Sequence, residues 1–234
     1  MRISNNKKLI ERNKKISQVV LYASLALLSL GFLWSVTNPG SSQATFAYII
    51  LIPAYILVQV SIFMANRWGR SPRPDEIIAT SLKGLNNQYS LYNYTTSVPH
   101  VLIGPAGLWI IKPYHHAGTI SYNQDKKRYD QKGGPGFVAK LFAQESLPNI
   151  ERESKYILTD FQNYLKTNQI VCNIEPKIVN LFYSEKVDVR ASNAPEVILE
   201  VNKFKEFIRQ TAKKVNLSDA VIQELTQKMP AATE

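Results

Sequence analysis

Two long apolar runs dominate the pattern of this chain, Ser17–Val36 and Ala44–Ala65, joined by the turn-forming stretch Thr37-Asn-Pro-Gly-Ser-Ser-Gln43. No side chain between Ile16 and Asn66 is charged. About 20 residues at a 1.5 Å rise reach roughly 30 Å, the thickness of a bilayer's hydrocarbon core. The pattern therefore predicts a transmembrane helical hairpin over residues 16–66, with helices at about 17–36 and 44–65. Two readings compete with it. A buried helical pair in a soluble protein is one, and the missing polar face argues against it. A cleaved signal peptide is the other, for the first run alone; that run is longer than a typical h-region and no small-x-small site clearly ends it. Pro53 in the second run is tolerated in a membrane helix.

Beyond residue 66 the period shortens and the elements multiply. Residues 67–74, ending in Ser71-Pro-Arg-Pro74, read as a linker, because a residue before proline is pushed away from helix. Asp75 opens a helix whose apolar face is Ile77, Ile78, Leu82 and Leu85. Tyr89–Thr96, rich in Tyr and Thr, predicts a strand. Val98–Ile103 and Leu108–Lys112 flank Gly104-Pro-Ala-Gly107, which predicts a hairpin with a four-residue loop. Thr119–Tyr122, Lys177–Tyr183 and Val197–Val201 predict further strands. Asp125–Gly136 is polar and glycine-rich and reads as a loop. Phe137–Leu165 has helical spacing broken at Pro148, and Lys203–Lys214 and Ser218–Lys228 predict closing helices. The order gives an α/β (α+β) domain over residues 75–234, with a mixed sheet around a central β-hairpin.

Charge orients the hairpin. Residues 1–15 form a basic tail with Arg2, Lys7, Lys8, Arg12, Lys14 and Lys15 against Glu11, and Arg67, Arg70 and Arg73 follow the second run. The loop between the runs has no Lys or Arg, so both termini and the domain are expected on the cytoplasmic side of the inner membrane. Trp68 beside Arg67 suits the headgroup region. The tail holds half of the net charge of +10, which weakens the basic balance as an argument for nucleic-acid binding by the domain. The single cysteine, Cys172, excludes an intrachain disulfide framework and agrees with a reducing compartment.

The run Val98-Pro-His-Val-Leu-Ile-Gly-Pro-Ala-Gly-Leu-Trp-Ile-Ile-Lys112, followed by Gly118-Thr-Ile120, resembles the NERD (nuclease-related) domain. The hairpin carries the specific match; from Asp75 to Met229 the order of elements agrees, with Glu76 in the first helix and Leu217-Ser218 before the last. The resemblance implies a restriction-endonuclease-like fold in which carboxylates on a sheet hold a divalent metal, Mg²⁺, for phosphodiester hydrolysis. It also implies where those groups belong. The metal-binding aspartate falls on Pro99, the glutamate on Lys112 and the lysine on Tyr114, while the alignment would make Glu76 a remnant of the ancestral set; from the residues alone Asp75 and Glu76 read as first-turn acids favoured by the helix dipole.

Those substitutions remove the chemistry. In the expected hairpin register Pro99 faces Lys112, on one side of the sheet, where two carboxylates would have to meet. Mg²⁺ takes hard oxygen ligands, and proline supplies none. A lysine in place of a glutamate reverses a term of about 4 kcal/mol per charge at ~4 Å and an effective dielectric near 20. His100, His115 and His116 do not replace the set, since adjacent strand residues point apart and no Cys/His spacing accompanies them. Gly133-Gly-Pro-Gly136 has neither a P-loop lysine nor a dinucleotide spacing and reads as a turn. One basic cluster remains: Lys126, Lys127, Arg128 and Lys132, with Tyr129 among them, can grip a phosphate backbone and stack on a base, or touch anionic lipid.

The expectation is a two-pass membrane protein carrying a nuclease-related domain without its metal-binding carboxylates, hence a non-catalytic binding or scaffold module needing no cofactor. The alternative is a membrane-tethered, Mg²⁺-dependent nuclease acting on DNA or RNA through a displaced site. The expected partners are the lipid bilayer and, through the basic cluster, nucleic acid or anionic lipid; no protein partner is readable.

Overall fold

The computed structural model describes residues 1–38, 40–134, 136, 147–170 and 174–230. They form two units: residues 8–73, and a second body in which residues 1–7 join the chain from Pro74 onward. The first piece of the helix expected over Phe137–Leu165, residues 137–146, lies outside the described residues, as do Cys172 and part of the Gly133–Gly136 turn.

The first unit is helical. Helix α1 spans Lys7–Thr37 and α2 spans Ser41–Met64, followed by a π-helical turn at Ala65–Gly69. Both are long and apolar enough to cross a membrane, and only 11% of each apolar window is buried. A soluble core pair would bury most of such a window, so the exposed faces favour the membrane reading. Helix α1 starts ten residues before the apolar run, so the basic residues from Lys7 to Lys15 are helical rather than an extended tail. Where the helices meet, the residues are small. Ser17, Ser24 and Gly31 are buried at seven-residue spacing on α1, and Ala54 and Ser61 on α2. Seven-residue spacing is the seam of a supercoiled pair, and small residues let backbones approach closely where lipid supplies no hydrophobic drive. A Cβ on Gly31 would stand 2.8 Å from Leu51 Cδ2. The Ser24 and Ser61 hydroxyls donate to the carbonyls of Leu21 and Val58 in their own helices, so neither is left unsatisfied. Of the small residues on α1, Ser24 lies in this seam, whereas Ala23, Ala26 and Ser29 are exposed.

The second unit is an α/β domain with a mixed sheet. Its strands are β1 (Arg2–Asn5), β2 (Ser90–Asn93), β3 (His100–Gly104), β4 (Gly107–Tyr114), β7 (Lys177–Phe182) and β9 (Val197–Glu200), in the spatial order β1-β2-β3-β4-β7-β9. The hairpin β3–β4 lies at the centre. Its ladder pairs Ile103 with Leu108 and Leu102 with Trp109, as the sequence register requires. The loop is shorter than expected: Gly104 pairs with Gly107, leaving only Pro105 and Ala106 to turn the chain. Gly107 takes a φ of +107°, open only to glycine at little cost, and a Cβ on Gly104 would sit 2.3 Å from the Tyr89 ring.

Strands β3 and β4 are apolar on both faces because helices cover both. Helices α3 (Pro74–Ser81) and α5 (Val201–Val215), with Leu82 in the turn after α3, bury Ile78, Leu82, Phe204 and Ile208 against Leu102, Trp109, Ile111, Val179 and Leu181. Helices α4 (Ile150–Thr167) and α6 (Asp219–Lys228) bury Phe161, Leu165, Ile222 and Leu225 against Val101, Ile103, Leu108, Ile110 and Ile178. Pro74 takes the first position of α3, where its missing N–H costs nothing, and the Asn149 side chain caps α4 by accepting from the Arg152 N–H at 2.9 Å.

Three elements depart from the sequence reading. Arg2–Asn5 pairs in parallel with β2, from Arg2↔Ser90 to Asn5↔Asn93. Arg128–Lys132, read as loop, is strand β6, paired with β5 (Gly118–Asn123). Strand β8 (Val187–Arg190) completes a second, three-stranded sheet in the order β6-β5-β8. All three are short; β1 and β6 are largely polar and β8 offers only Val187 and Val189, so main-chain ladders define them and a hydrophobic pattern has little to detect.

Candidate functional site

The parallel pair β4–β7 places Lys112 beside Asn180 and Tyr114 beside Phe182 at the carboxyl ends of both strands. Residues 108, 110, 112 and 114 share one face by strand alternation, and α4 covers that face. The first turns of α4 bring Glu153 and Ser154 over it. A single oxygen, Glu153 Oε2, lies 3.5 Å from Lys112 Nζ and accepts a hydrogen bond from the Tyr114 hydroxyl at 2.8 Å. The Lys112 ammonium also lies 5.5 Å from the Tyr114 ring centroid, within cation–π range. Deeper on the same face Asn180, fully buried, exchanges hydrogen bonds with Ser154, its amide donating to Ser154 Oγ at 3.2 Å.

The electrostatics of this knot are self-contained. Burial, and then the charge and hydrogen bond of Glu153, push the Tyr114 hydroxyl far above the ordinary phenol range, so it stays protonated and donating. The Lys112 and Glu153 side chains retain 28% and 36% exposure. A partly exposed pair of this kind contributes up to about 1 kcal/mol.

The other predicted positions fall elsewhere. Pro99 lies one residue before β3, outside the ladder, in a turn closed by the Tyr94 N–H donating to the Pro99 carbonyl at 2.7 Å. Glu76 stands in the first turn of α3, a helix packed on the Trp109 and Ile111 face of β4, opposite Lys112 and Tyr114. The structure thus unites Lys112 and Tyr114 and adds Glu153, Ser154 and Asn180, none of which the sequence singled out. Glu153 reads in sequence as an ordinary first-turn acid, and only the packing of α4 reveals its partners.

The histidines are dispersed. His100 is buried, with Nδ1 2.9 Å from Asn93 Oδ1, and Asn93 in turn donates to Asn5 Oδ1 at 2.8 Å. His115 stacks on Tyr183, and His116 packs against Tyr114 and Phe182. Among the described residues no group of three or more His, Cys, Asp or Glu is arranged to hold a metal ion. The divalent ion implied by the resemblance does not fit the donors present at the β4 edge. Pro99 has no side-chain oxygen, Lys112 carries the wrong charge, and the Tyr114 proton is committed to Glu153.

The basic cluster lies on the β5–β6 hairpin. The Lys126 N–H is held by Asn123 Oδ1 at 3.0 Å, and Lys127 turns the chain with a φ of 47°. Strand alternation sets Arg128, Asp130 and Lys132 on one face and Tyr129 and Gln131 on the other. Arg128 is paired with Asp130 at 3.0 Å. Tyr129 turns away from these cations, packs 5.0 Å from Tyr122 and donates to Glu196 Oε2, with its hydroxyl pushed up chiefly by burial. The tyrosine is therefore not offered for stacking beside the charges.

No family model, no curated protein and no solved structure matches the chain.

Proposed function

We propose that this protein is a membrane-anchored module whose nuclease-related α/β domain binds rather than cuts. The observation that carries the reading is the Lys112–Glu153–Tyr114 knot, which fills with an ammonium and its counter-charge the edge where metal-dependent hydrolysis needs paired carboxylates. The succession of a helix, an antiparallel β2-β3-β4 unit, a helix and a parallel strand beside the central hairpin agrees with the order the NERD resemblance implies, and supports a restriction-endonuclease-like assignment. Sidedness has support of its own. Strand β1 precedes both membrane-length helices and β2 follows them, and two strands can pair only on one side of a bilayer. The cationic flanks support the cytoplasm as that side, in keeping with an inner-membrane protein.

The ligand class we infer rests on exposed lysines of the β5–β6 hairpin, Lys126 and Lys127 in its turn and Lys132 at the end of β6, which suit a polyanion such as a nucleic-acid backbone. Full-length protein in zwitterionic nanodiscs, incubated with labelled single- and double-stranded DNA and RNA and with Mg²⁺ or Mn²⁺, is expected to leave them intact. Salt-sensitive binding should weaken when the three lysines become glutamines. Cleavage that survives repurification and disappears in Glu76→Ala would make the protein a nuclease instead.

A further inference from the structure

The knot at the carboxyl edge of β4 does more than lack a metal. Lys112 projects from the face on which α4 packs, beside Asn180 in the parallel partner strand, and its ammonium approaches the one carboxylate α4 presents there. The same oxygen accepts the Tyr114 hydroxyl hydrogen bond, so a strand lysine and a strand tyrosine converge on a single helix glutamate. A divalent ion at this place would perform the same task, drawing oxygen ligands from different elements to one point of positive charge. We propose that the Lys112 ammonium is a resident cation that replaces a divalent ion, docking the first turn of α4 on the sheet through Glu153 and leaving the edge with no affinity for free metal.

Lys112 is on this view a positioning residue. The inference rests on the reading of the domain as a nuclease relative that does not cut, yet it concerns charge balance and is tested without substrate. The chemistry is reversible by design. Lys112→Glu puts a second carboxylate within reach of Glu153, so the edge loses its built-in cation and acquires the ligands for an external one. Lys112→Glu with Glu153→Lys restores one charge of each sign in exchanged places.

The experiment follows Mn²⁺ uptake by electron paramagnetic resonance, and thermal unfolding, of the full chain in zwitterionic nanodiscs. Wild type and Lys112→Arg should show the same melting temperature with and without Mn²⁺. Lys112→Glu should melt several degrees lower, bind Mn²⁺ at least tenfold more tightly than wild type, and recover its melting temperature when the ion is added. The exchanged double variant should be insensitive to the ion. Should Lys112→Glu fail to fold, Lys112→Gln serves: it should melt below wild type, unlike Lys112→Arg, and Mn²⁺ should not restore it. The proposal is overturned if wild type takes up Mn²⁺ and Glu153→Gln abolishes that uptake, or if Lys112→Glu, or failing that Lys112→Gln, behaves as wild type. Metal-dependent cleavage lost in Glu76→Ala would sink the non-catalytic reading while leaving this charge cycle to stand or fall by itself.

Discussion

At the scale of single residues, Tyr114 shows how burial and one hydrogen bond fix a protonation state. Its hydroxyl is held above the ordinary phenol value by desolvation first and by Glu153 second. In the unfolded chain the same group titrates near about 10. The folded form therefore keeps a proton that the unfolded form loses once the pH passes that value. The stabilisation is complete below pH ~10 and declines as the pH rises further, by up to about 1.36 kcal/mol per pH unit for each such tyrosine. Tyr114→Phe should cost about 1 kcal/mol at neutral pH, the value of a hydrogen bond to a partly exposed carboxylate. Its stability should also fall less steeply than that of wild type between pH 9 and 11. Denaturant titrations of the two proteins across that range check both statements; parallel pH profiles would show that Tyr114 is not the group concerned.

At the scale of elements, a short strand with a single apolar residue has the largest architectural consequence. Strand β1 is Arg-Ile-Ser-Asn, with Ile3 half exposed, and it exists because the β2 edge offers a ladder: the Arg2 N–H donates to the Tyr89 carbonyl and the Asn6 N–H to that of Asn93. Alternation along a parallel pair directs the Ser4 N–H to β2 as well. Ser4→Pro removes that donor and should free β1, so that amide hydrogen exchange accelerates in Ser90–Asn93 but not in β7. Unchanged protection in β2 would contradict the pairing. The helical hairpin shows the opposite economy. Its seam was only partly legible in sequence, where Ala23, Ser24, Ala26 and Ser29 all qualify as small, because a list of small residues does not say which face turns inward. Strand β6 was missed for a similar reason. In Arg-Tyr-Asp-Gln-Lys one aromatic ring marks the inner face, too little for a pattern to register.

At the scale of the whole molecule, two chain segments leave the pair of membrane-length helices and enter one sheet-containing domain. Only Asn6 separates β1 from α1, while a linker of a few residues separates the π-helical turn after α2 from α3. That connectivity gives a prediction about sidedness. In a Cys172→Ser background, a membrane-impermeant maleimide should label Ser41→Cys in intact cells. It should label Asp188→Cys only after the membrane is permeabilised. The reverse pattern would invert the topology, and labelling of both in intact cells would remove the membrane hairpin altogether.

Periodicity and charge were sufficient, without coordinates, for the two membrane-length helices, the asymmetry of their flanks, the central hairpin with its Ile103–Leu108 and Leu102–Trp109 register, and the α/β class. Each of those follows from local spacing: a 20-residue apolar run, a glycine-flanked turn, a period of two. Tertiary structure alone decided the rest. It drew residues 2–5 into a sheet across more than 80 residues of chain, placed Glu76 and Lys112 on opposite faces of β4, and brought Glu153 of a later helix to the Lys112 ammonium. Such contacts join segments distant in sequence, and no period along one segment records which partner another will supply.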